Sequence, residues 1–147
     1  MAQILDTTAY LDGVCQMLSG GASLVPIPVV GVSMRPFLRN GDFVYVSAPG
    51  EKIRKGDVLL FQRNNGQYVL HRVMKIRGDC LWMQGDSQLQ KEPIVKNQVR
   101  AKAVSARIRG SMVAEGDLLW WKYAHPWRWL APIRRQISWM HGLLNGR

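Results

Sequence analysis

The sequence predicts a mainly β protein, a small antiparallel coiled-sheet domain with an N-terminal helix and C-terminal helices. Its 147 residues are the length of one ordinary domain, and 47% hydrophobic residues are enough to form a core. Between residues 25 and 108, short β-branched and aromatic runs alternate with Gly, Asn and Asp turns. Apolar residues at helical spacing recur near both ends of the chain. We therefore expect a single domain built around one sheet.

The chain divides into three parts by composition. These parts are an N-terminal helix and loop (1–24), a β core (25–110) and a basic, tryptophan-rich helical tail (111–147). In the first part, apolar residues at helical spacing predict a helix over residues 8–18. Thr7 or Thr8 is suited to cap its start, and Gly20-Gly21 is suited to end it.

The β core is predicted from runs that favour extended backbone. The expected strands are 25–32, 42–47, 57–63, 67–77, 80–84 and 99–108. Two prolines in the first run predict an edge strand, because proline has no N–H to donate to a ladder. Asn64-Asn65-Gly66 is typical of a hairpin turn, and Gly78-Asp79 provides a second two-residue turn.

The tail differs from the core in composition. Five of the six tryptophans follow residue 118. A helical stripe consists of Leu130, Ile133, Ile137, Met140 and Leu144, and the arginines Arg128, Arg134 and Arg135 lie off it. We expect this stripe to pack on the sheet, because a small sheet leaves one face uncovered. Attachment of the tail to an anionic membrane surface is the alternative.

Charge and chain content limit the partners and the compartment. Lys and Arg number 20 against 10 Asp and Glu, a net charge of +10 that favours an anionic partner. The longest uncharged stretch, residues 13–34, contains too many glycines and prolines for a membrane-spanning helix. Asp6 and Asp12 stand where a secretory signal needs basic residues. We expect a soluble or peripheral membrane protein, with the cytoplasm slightly favoured.

Neither a disulfide framework nor a metal site is expected. Cys15 and Cys80 lie in different predicted elements and are interpreted as reduced. The three histidines have no metal-ligand spacing, and the chain has no CxxC pair. We therefore expect no cofactor.

Two positions are candidates for chemistry. Ser33 lies between an extended segment and Pro36, although a turn serine that bonds its own backbone is the commoner explanation of this pattern alone. His71 shares one strand face with Val69 and Val73, whereas the residues on the other face are Leu70, Arg72, Met74 and Ile76. A half-buried histidine stays neutral and suits a general base, but a core histidine bonded to a carbonyl is the commoner case.

An ordered set of short motifs favours the catalytic explanation of Ser33 and His71 over the structural one. The set is Gly31-Val32-Ser33-Met34-Arg35-Pro36, Gly41-Asp42, Lys55-Gly56-Asp57-Val58, His71-Arg72-Val73 and Gly85-Asp86. It resembles the type I signal peptidase family over residues 29–104, in particular the endoplasmic-reticulum, archaeal and sporulation branch, in which histidine replaces a lysine base. The resemblance implies Ser33 as nucleophile, His71 as base and Asp86 as the carboxylate that supports it. The backbone N–H of Ser33 would contribute to the oxyanion hole.

The sequence departs from the family after Gly85-Asp86. The family tends to have Asn and a second Asp there, whereas this chain has Ser87-Gln88 and then Glu92. Either Glu92 takes the place of the second acid or that acid is missing.

The predicted function is that of a serine endopeptidase of signal-peptidase type, with residues 1–147 forming one peptidase domain. It would cleave a leader or signal-like peptide from a precursor protein. The peptide would add as a strand along Pro28, Val29, Val30 and Gly31. The alternative is a catalytically inactive binding module that uses a basic face for nucleic acid or an anionic membrane, with nucleic acid the less favoured partner of the protein.

Overall fold

The β-branched runs form an eight-stranded antiparallel sheet in the computed structural model, which describes residues 2–118 and 120. The elements are α1 (Ala2–Ser19), β1 (Val25–Pro28), β2 (Phe43–Ser47), β3 (Val58–Gln62), β4 (Tyr68–Arg77), β5 (Cys80–Gln84), β6 (Glu92–Val95), a short 3-10 helix (Lys96–Gln98), β7 (Val99–Ile108) and β8 (Ser111–Ala114). The predicted mainly β class with an N-terminal helix is confirmed. The apolar stripe predicted for the tail lies outside the described residues.

The strand order places β7, from the end of the β core, between β2 and β3. Neighbouring strands run β1-β2-β7-β3-β4-β5-β6, and β8 adds to β7. β1 pairs only with β2 among the described residues, so the edge position predicted from Pro26 and Pro28 is confirmed. The hairpin between β3 and β4 is also confirmed, with Gln62 opposite Tyr68.

Two buried clusters lie on opposite faces of the sheet. One joins α1, β1, β2 and β7 to the loop after β1, and includes Val14, Val44 and Phe37. The other joins β3, β5 and β6, and includes Phe61 and Met83. The loop after β1 is thus anchored in the first cluster. β4 contributes Val73 to the second cluster and packs Tyr68 and Leu70 against the first.

The N-terminal helix is longer than predicted. It begins at Ala2, so Thr7 and Thr8 lie within it and do not cap its start. Residues 2–5 are Ala, Gln, Ile and Leu, none of which interrupts a helix. The predicted end at Gly20-Gly21 is confirmed, since Gly21 has the left-handed φ of 103°. In the part of the chain that the structure describes, no helix is long and apolar enough to span a bilayer.

Two strands were not predicted. β6 contains Pro93 and pairs at the edge of the sheet, where a proline is tolerated. β8 occupies the first residues of the part assigned to a helical tail, so the boundary expected after residue 110 is wrong. The turn at Arg109-Gly110, where both residues have positive φ, returns the chain beside β7.

A bulge in β4 corrects the predicted alternation. The pairing of β4 with β5 shifts register between Val73 and Lys75. Beyond this bulge, Ile76 packs against the same cluster as Val69, on the face opposite to that expected. His71 lies before the bulge, so its assignment to the face of Val69 and Val73 is unaffected.

Candidate active site

Ser33, in the loop after β1, meets His71 of β4. The Oγ of Ser33 lies 3.2 Å from the Nε2 of His71, although the two residues are 38 positions apart. This distance is at the upper end of what a nucleophile–base hydrogen bond requires. His71 is only 4% exposed, whereas Ser33 remains partly open to solvent. The arrangement joins a buried base to a reachable hydroxyl.

The residues on either side of Ser33 fix its position in the loop after β1. Met34 and Phe37 are buried in the core on its C-terminal side. On the other side, Gly31 has a φ of 93°, a region that favours glycine, and its N–H donates to Asn40 Oδ1 at 2.8 Å. The serine therefore sits on a turn that is fixed at both ends.

The segment 85–87 clamps this turn from the other side. The backbone N–H of Ser87 donates to the carbonyl of Ser33 at 2.9 Å, and its hydroxyl donates to the carbonyl of Val32 at 2.8 Å. A Cβ on Gly85 would lie 2.5 Å from the carbonyl oxygen of Ser33, closer than real Cβ atoms approach. Gly85 is therefore required for the close approach of the two segments.

Asp86 does not support His71 by direct contact. Its two carboxylate oxygens accept from Nε and Nη2 of Arg72 at 2.8 and 2.9 Å. Arg72 also donates to the carbonyl of Gly56 and lies over the ring of Phe37, 5.2 Å from its centroid. The expected Asp86–His71 pair fails because consecutive residues of β4 face opposite sides, and Asp86 lies on the side of Arg72.

The carboxylate beside His71 belongs to Glu92. Its Oε1 is 3.9 Å from Nδ1 of His71, beyond hydrogen-bond distance. Nη2 and Nε of Arg63 hold the two oxygens of Glu92 at 2.6 and 3.0 Å. The Nδ1 of His71 is buried and has no hydrogen-bond partner within the described residues. Sequence reasoning named Glu92 as an alternative but missed Arg63, because their contact depends on the unpredicted β6.

Burial sets the protonation state of this group. Desolvation lowers the pKa of His71 from 6.5 to about 4, although the charge of Glu92 opposes this and that of Arg63 adds to it. Hydrogen bonding from Arg63 lowers the pKa of Glu92. At neutral pH the site therefore combines a neutral imidazole with an ionised carboxylate and a guanidinium.

Ser33 and His71 open onto a cleft of about 330 Å³. Tyr10 and Leu11 of α1 line it, together with the start of β4. The Tyr10 hydroxyl donates to the carbonyl of Pro26 on β1, and the Tyr68 hydroxyl of β4 donates to Asp12. The helix is thus tied to both walls of the cleft.

Within the described residues, each wall has one strand edge that no neighbouring strand pairs. The N–H of Val29 donates to the backbone carbonyl of Asp42, just before β2, at 2.9 Å. Alternation therefore turns the carbonyl of Pro28 away from β2 and towards the cleft. On the opposite wall, β5 pairs with β4 only from Arg72 onwards. The N–H of Val73 donates towards β3, so alternation turns the N–H and carbonyl of Leu70 towards the open side. An extended peptide could bond both walls.

No group of three or more His, Cys, Asp or Glu side chains able to hold a metal ion occurs in residues 2–118 and 120. The polar side chains that line the described cleft include the hydroxyl of Ser33, the imidazole of His71 and the guanidinium of Arg63.

Comparison with protein families matches residues 2–113 to the Peptidase S24-like family. The matched stretch is more than half of the 147 residues and includes Ser33, His71 and both arginine–carboxylate pairs. This match supports a peptidase type of reaction. A search of curated proteins found no match. The chain, whose serine and histidine meet in an open cleft, belongs to the Peptidase S24-like family.

Proposed function

We propose that this protein is a serine endopeptidase in which Ser33 is the nucleophile and His71 the general base. The 3.2 Å distance between Ser33 Oγ and His71 Nε2 carries the proposal. Nε2 would accept the hydroxyl proton as Oγ attacks a peptide carbonyl, and would then donate it to the leaving amine. Water would then attack the acyl group and lose a proton to Nε2. The bond between the acyl group and Oγ would break, and Nε2 would return the proton to Oγ. The low pKa of His71 keeps Nε2 able to accept a proton at pH 7.

The charges that develop in this reaction need stabilisation. The backbone N–H of Ser33 would donate to the oxyanion of the tetrahedral intermediate. The imidazolium would be stabilised by Glu92, the carboxylate nearest to Nδ1. Asp86 would act indirectly, because its pairing with Arg72 connects β4 to the segment that clamps Ser33.

The substrate would be an extended peptide. Pro28 on one wall and Leu70 on the other offer backbone groups to a strand inserted between β1 and β4. The exposed Val30 lies next to this path, on the stretch of residues 28–31 expected to bind substrate. The histidine base is the feature shared with the endoplasmic-reticulum, archaeal and sporulation signal peptidases, and it supports a leader or signal-like peptide as the substrate class.

Labelling by a serine-directed acylating probe tests the proposal. We expect a fluorophosphonate to label the wild type at Ser33, and to label neither Ser33→Ala nor His71→Ala at an appreciable rate. Both variants should also lose peptide hydrolysis by orders of magnitude. Ser111→Ala, which removes an exposed serine on β8, is the matched control and should behave as the wild type. Hydrolysis by Ser33→Ala at the normal rate would exclude the mechanism.

The same experiment addresses the alternative of an inactive binding module, which the net charge of +10 favours. A folded wild type that resists the probe and binds DNA in a salt-sensitive manner would support that function instead.

A further inference from the structure

We propose that Arg63 is a specificity-determining residue that binds a carboxylate of the substrate and thereby releases Glu92 to His71. The inference rests on the proposed peptidase function. In this proposal the resting site catalyses poorly. A substrate that carries a carboxylate brings Glu92 to His71 and so makes the site active.

The two contacts of Glu92 involve the same oxygen atom. The Oε1 that lies 3.9 Å from Nδ1 of His71 is the oxygen that Nη2 of Arg63 holds at 2.6 Å. A hydrogen bond to Nδ1 requires this oxygen to move closer by about 1 Å. In the resting structure, the two hydrogen bonds from Arg63 therefore hold the carboxylate too far from Nδ1 to bond an imidazolium at His71.

The unsatisfied atom on His71 makes this arrangement costly during catalysis. Nδ1 is buried and has no hydrogen-bond partner within residues 2–118 and 120. When Nε2 takes the proton of Ser33, the ring becomes a buried cation, which is unfavourable unless a carboxylate pairs with it. Among the charged groups that influence the pKa of His71, Glu92 favours the cation and Arg63 disfavours it.

Arg63 is accessible to a substrate. Its side chain is 35% exposed, and it lines both the cleft at Ser33 and an adjoining groove along residues 87–92. Its Nη1 also donates to Gln67 at 2.6 Å, a bond that would keep the guanidinium in place after Glu92 leaves. An ion pair this exposed contributes little stability, so a partner in water can exchange with it.

The geometry indicates what the new partner is. A guanidinium binds a carboxylate through two parallel hydrogen bonds, as Arg63 now binds Glu92. Lys91 lines the same groove and adds positive charge. The fitting ligand is therefore a carboxylate of the peptide, either an acidic side chain or a free C-terminus.

The first test follows His71 directly by NMR titration in full-length Ser33→Ala protein, which cannot turn over substrate. Adding Arg63→Gln should raise the pKa of His71, because the substitution both removes a cation and frees Glu92. An acidic peptide should raise it in the protein that retains Arg63, and its Gln-for-Glu analogue should not. Arg100→Gln removes the same charge without a contact to Glu92 and should have a smaller effect. Equal pKa values in all these samples would overturn the inference.

The second test uses hydrolysis of matched peptides that carry Glu or Gln at each position near the scissile bond, with free or amidated C-termini. Wild type should prefer the carboxylate by about tenfold or more in kcat/KM. Arg63→Gln should lose this preference and cleave the neutral peptides faster than wild type does, because Glu92 is then free to pair with His71. The position at which the preference appears distinguishes a side chain from a terminus, and a preference that survives Arg63→Gln would contradict the proposal.

The failure of the proposed function is distinguishable from the failure of this inference. If Ser33→Ala cleaves peptides as the wild type does, the mechanism is wrong. If Ser33→Ala is inactive but neither Arg63→Gln nor acidic peptides change the pKa of His71, only the role of Arg63 is wrong.

Discussion

Two arginine–carboxylate pairs flank His71, and they have the same hydrogen-bond pattern in opposite environments. Arg72 holds Asp86, and Arg63 holds Glu92, each through Nε and Nη2. The side chains of the first pair are both 1% exposed, whereas those of the second are 35% and 31% exposed. Burial therefore separates a pair that cannot exchange its partner from one that can.

The pairs also differ in what they hold. The buried pair ties β4 to the segment 85–87, which contacts the backbone of Ser33. The exposed pair touches no part of the serine loop in its hydrogen bonds, but it places a carboxylate next to Nδ1 of His71. The comparison predicts that the first pair governs stability and that the second governs reactivity.

The largest expected effect on stability comes from Asp86→Asn. It would leave the buried guanidinium of Arg72 without its counter-charge, so we expect the free energy of unfolding to fall by about 3–5 kcal/mol. Urea denaturation measures this change. Combining Asp86→Asn with Arg72→Met should recover part of the loss, because the buried charge is then removed. A loss below about 1 kcal/mol for the single variant would place this pair in the class of exposed pairs.

The next largest effect is on the pH dependence of stability, and it arises from His71, which lies between the two pairs. Between pH 4 and 6.5 the unfolded chain protonates His71 and the folded chain does not, so stability rises with pH across this window. His71 should contribute about 3 kcal/mol that is complete above pH 6.5 and lost as pH falls to 4.

The difference between wild type and His71→Asn isolates this contribution. The raised pKa of Asp57 acts in the opposite direction but is common to both proteins. Urea denaturation at several pH values should give a rising difference across the window, and parallel curves would mean that His71 titrates normally. In the active wild type, kcat/KM should reach its plateau below pH 6.5.

Gly85→Ala tests the contact through which the buried pair reaches Ser33. Its Cβ would meet the carbonyl of Ser33 at 2.5 Å, so the two segments must separate. We expect a loss of about 1–3 kcal/mol in unfolding free energy, together with slower probe labelling of Ser33. Gly13→Ala is the control, since nothing lies within 4 Å of its Cβ and the helix should gain about 0.5–1 kcal/mol. Normal labelling of Gly85→Ala would show that the clamp does not position the serine.

Glu92→Gln should affect stability least and still affect activity. The exposed pair with Arg63 contributes at most about 1 kcal/mol to unfolding free energy. Because the imidazolium loses its nearest carboxylate, kcat should nevertheless fall by about tenfold or more. Glu115→Gln, which removes an ion pair with Lys102 at 3.2 Å, should leave kcat unchanged. Unchanged kcat in Glu92→Gln would reverse the roles assigned to the two pairs.

The sequence by itself determined the features that depend on local patterns. Alternation predicted the face of His71, and the prolines predicted the edge strand that became β1. The bounds of β7 followed from its uninterrupted run, and turn residues identified the hairpin of β3 and β4. Each of these follows from the conformational preferences of neighbouring residues, which the sequence carries directly.

Only the tertiary structure decided the partners of charged groups and the shape of the cleft. The partner of Asp86 depended on which face of β4 it meets, and the approach of Glu92 to His71 depended on the pairing of β6 with β5. The cleft lies where β5 does not extend along the first residues of β4, which among the described residues pair with β3 alone. Such contacts join residues far apart in sequence, and their energies depend on burial and on register, which are properties of the folded chain and not of any local run of residues.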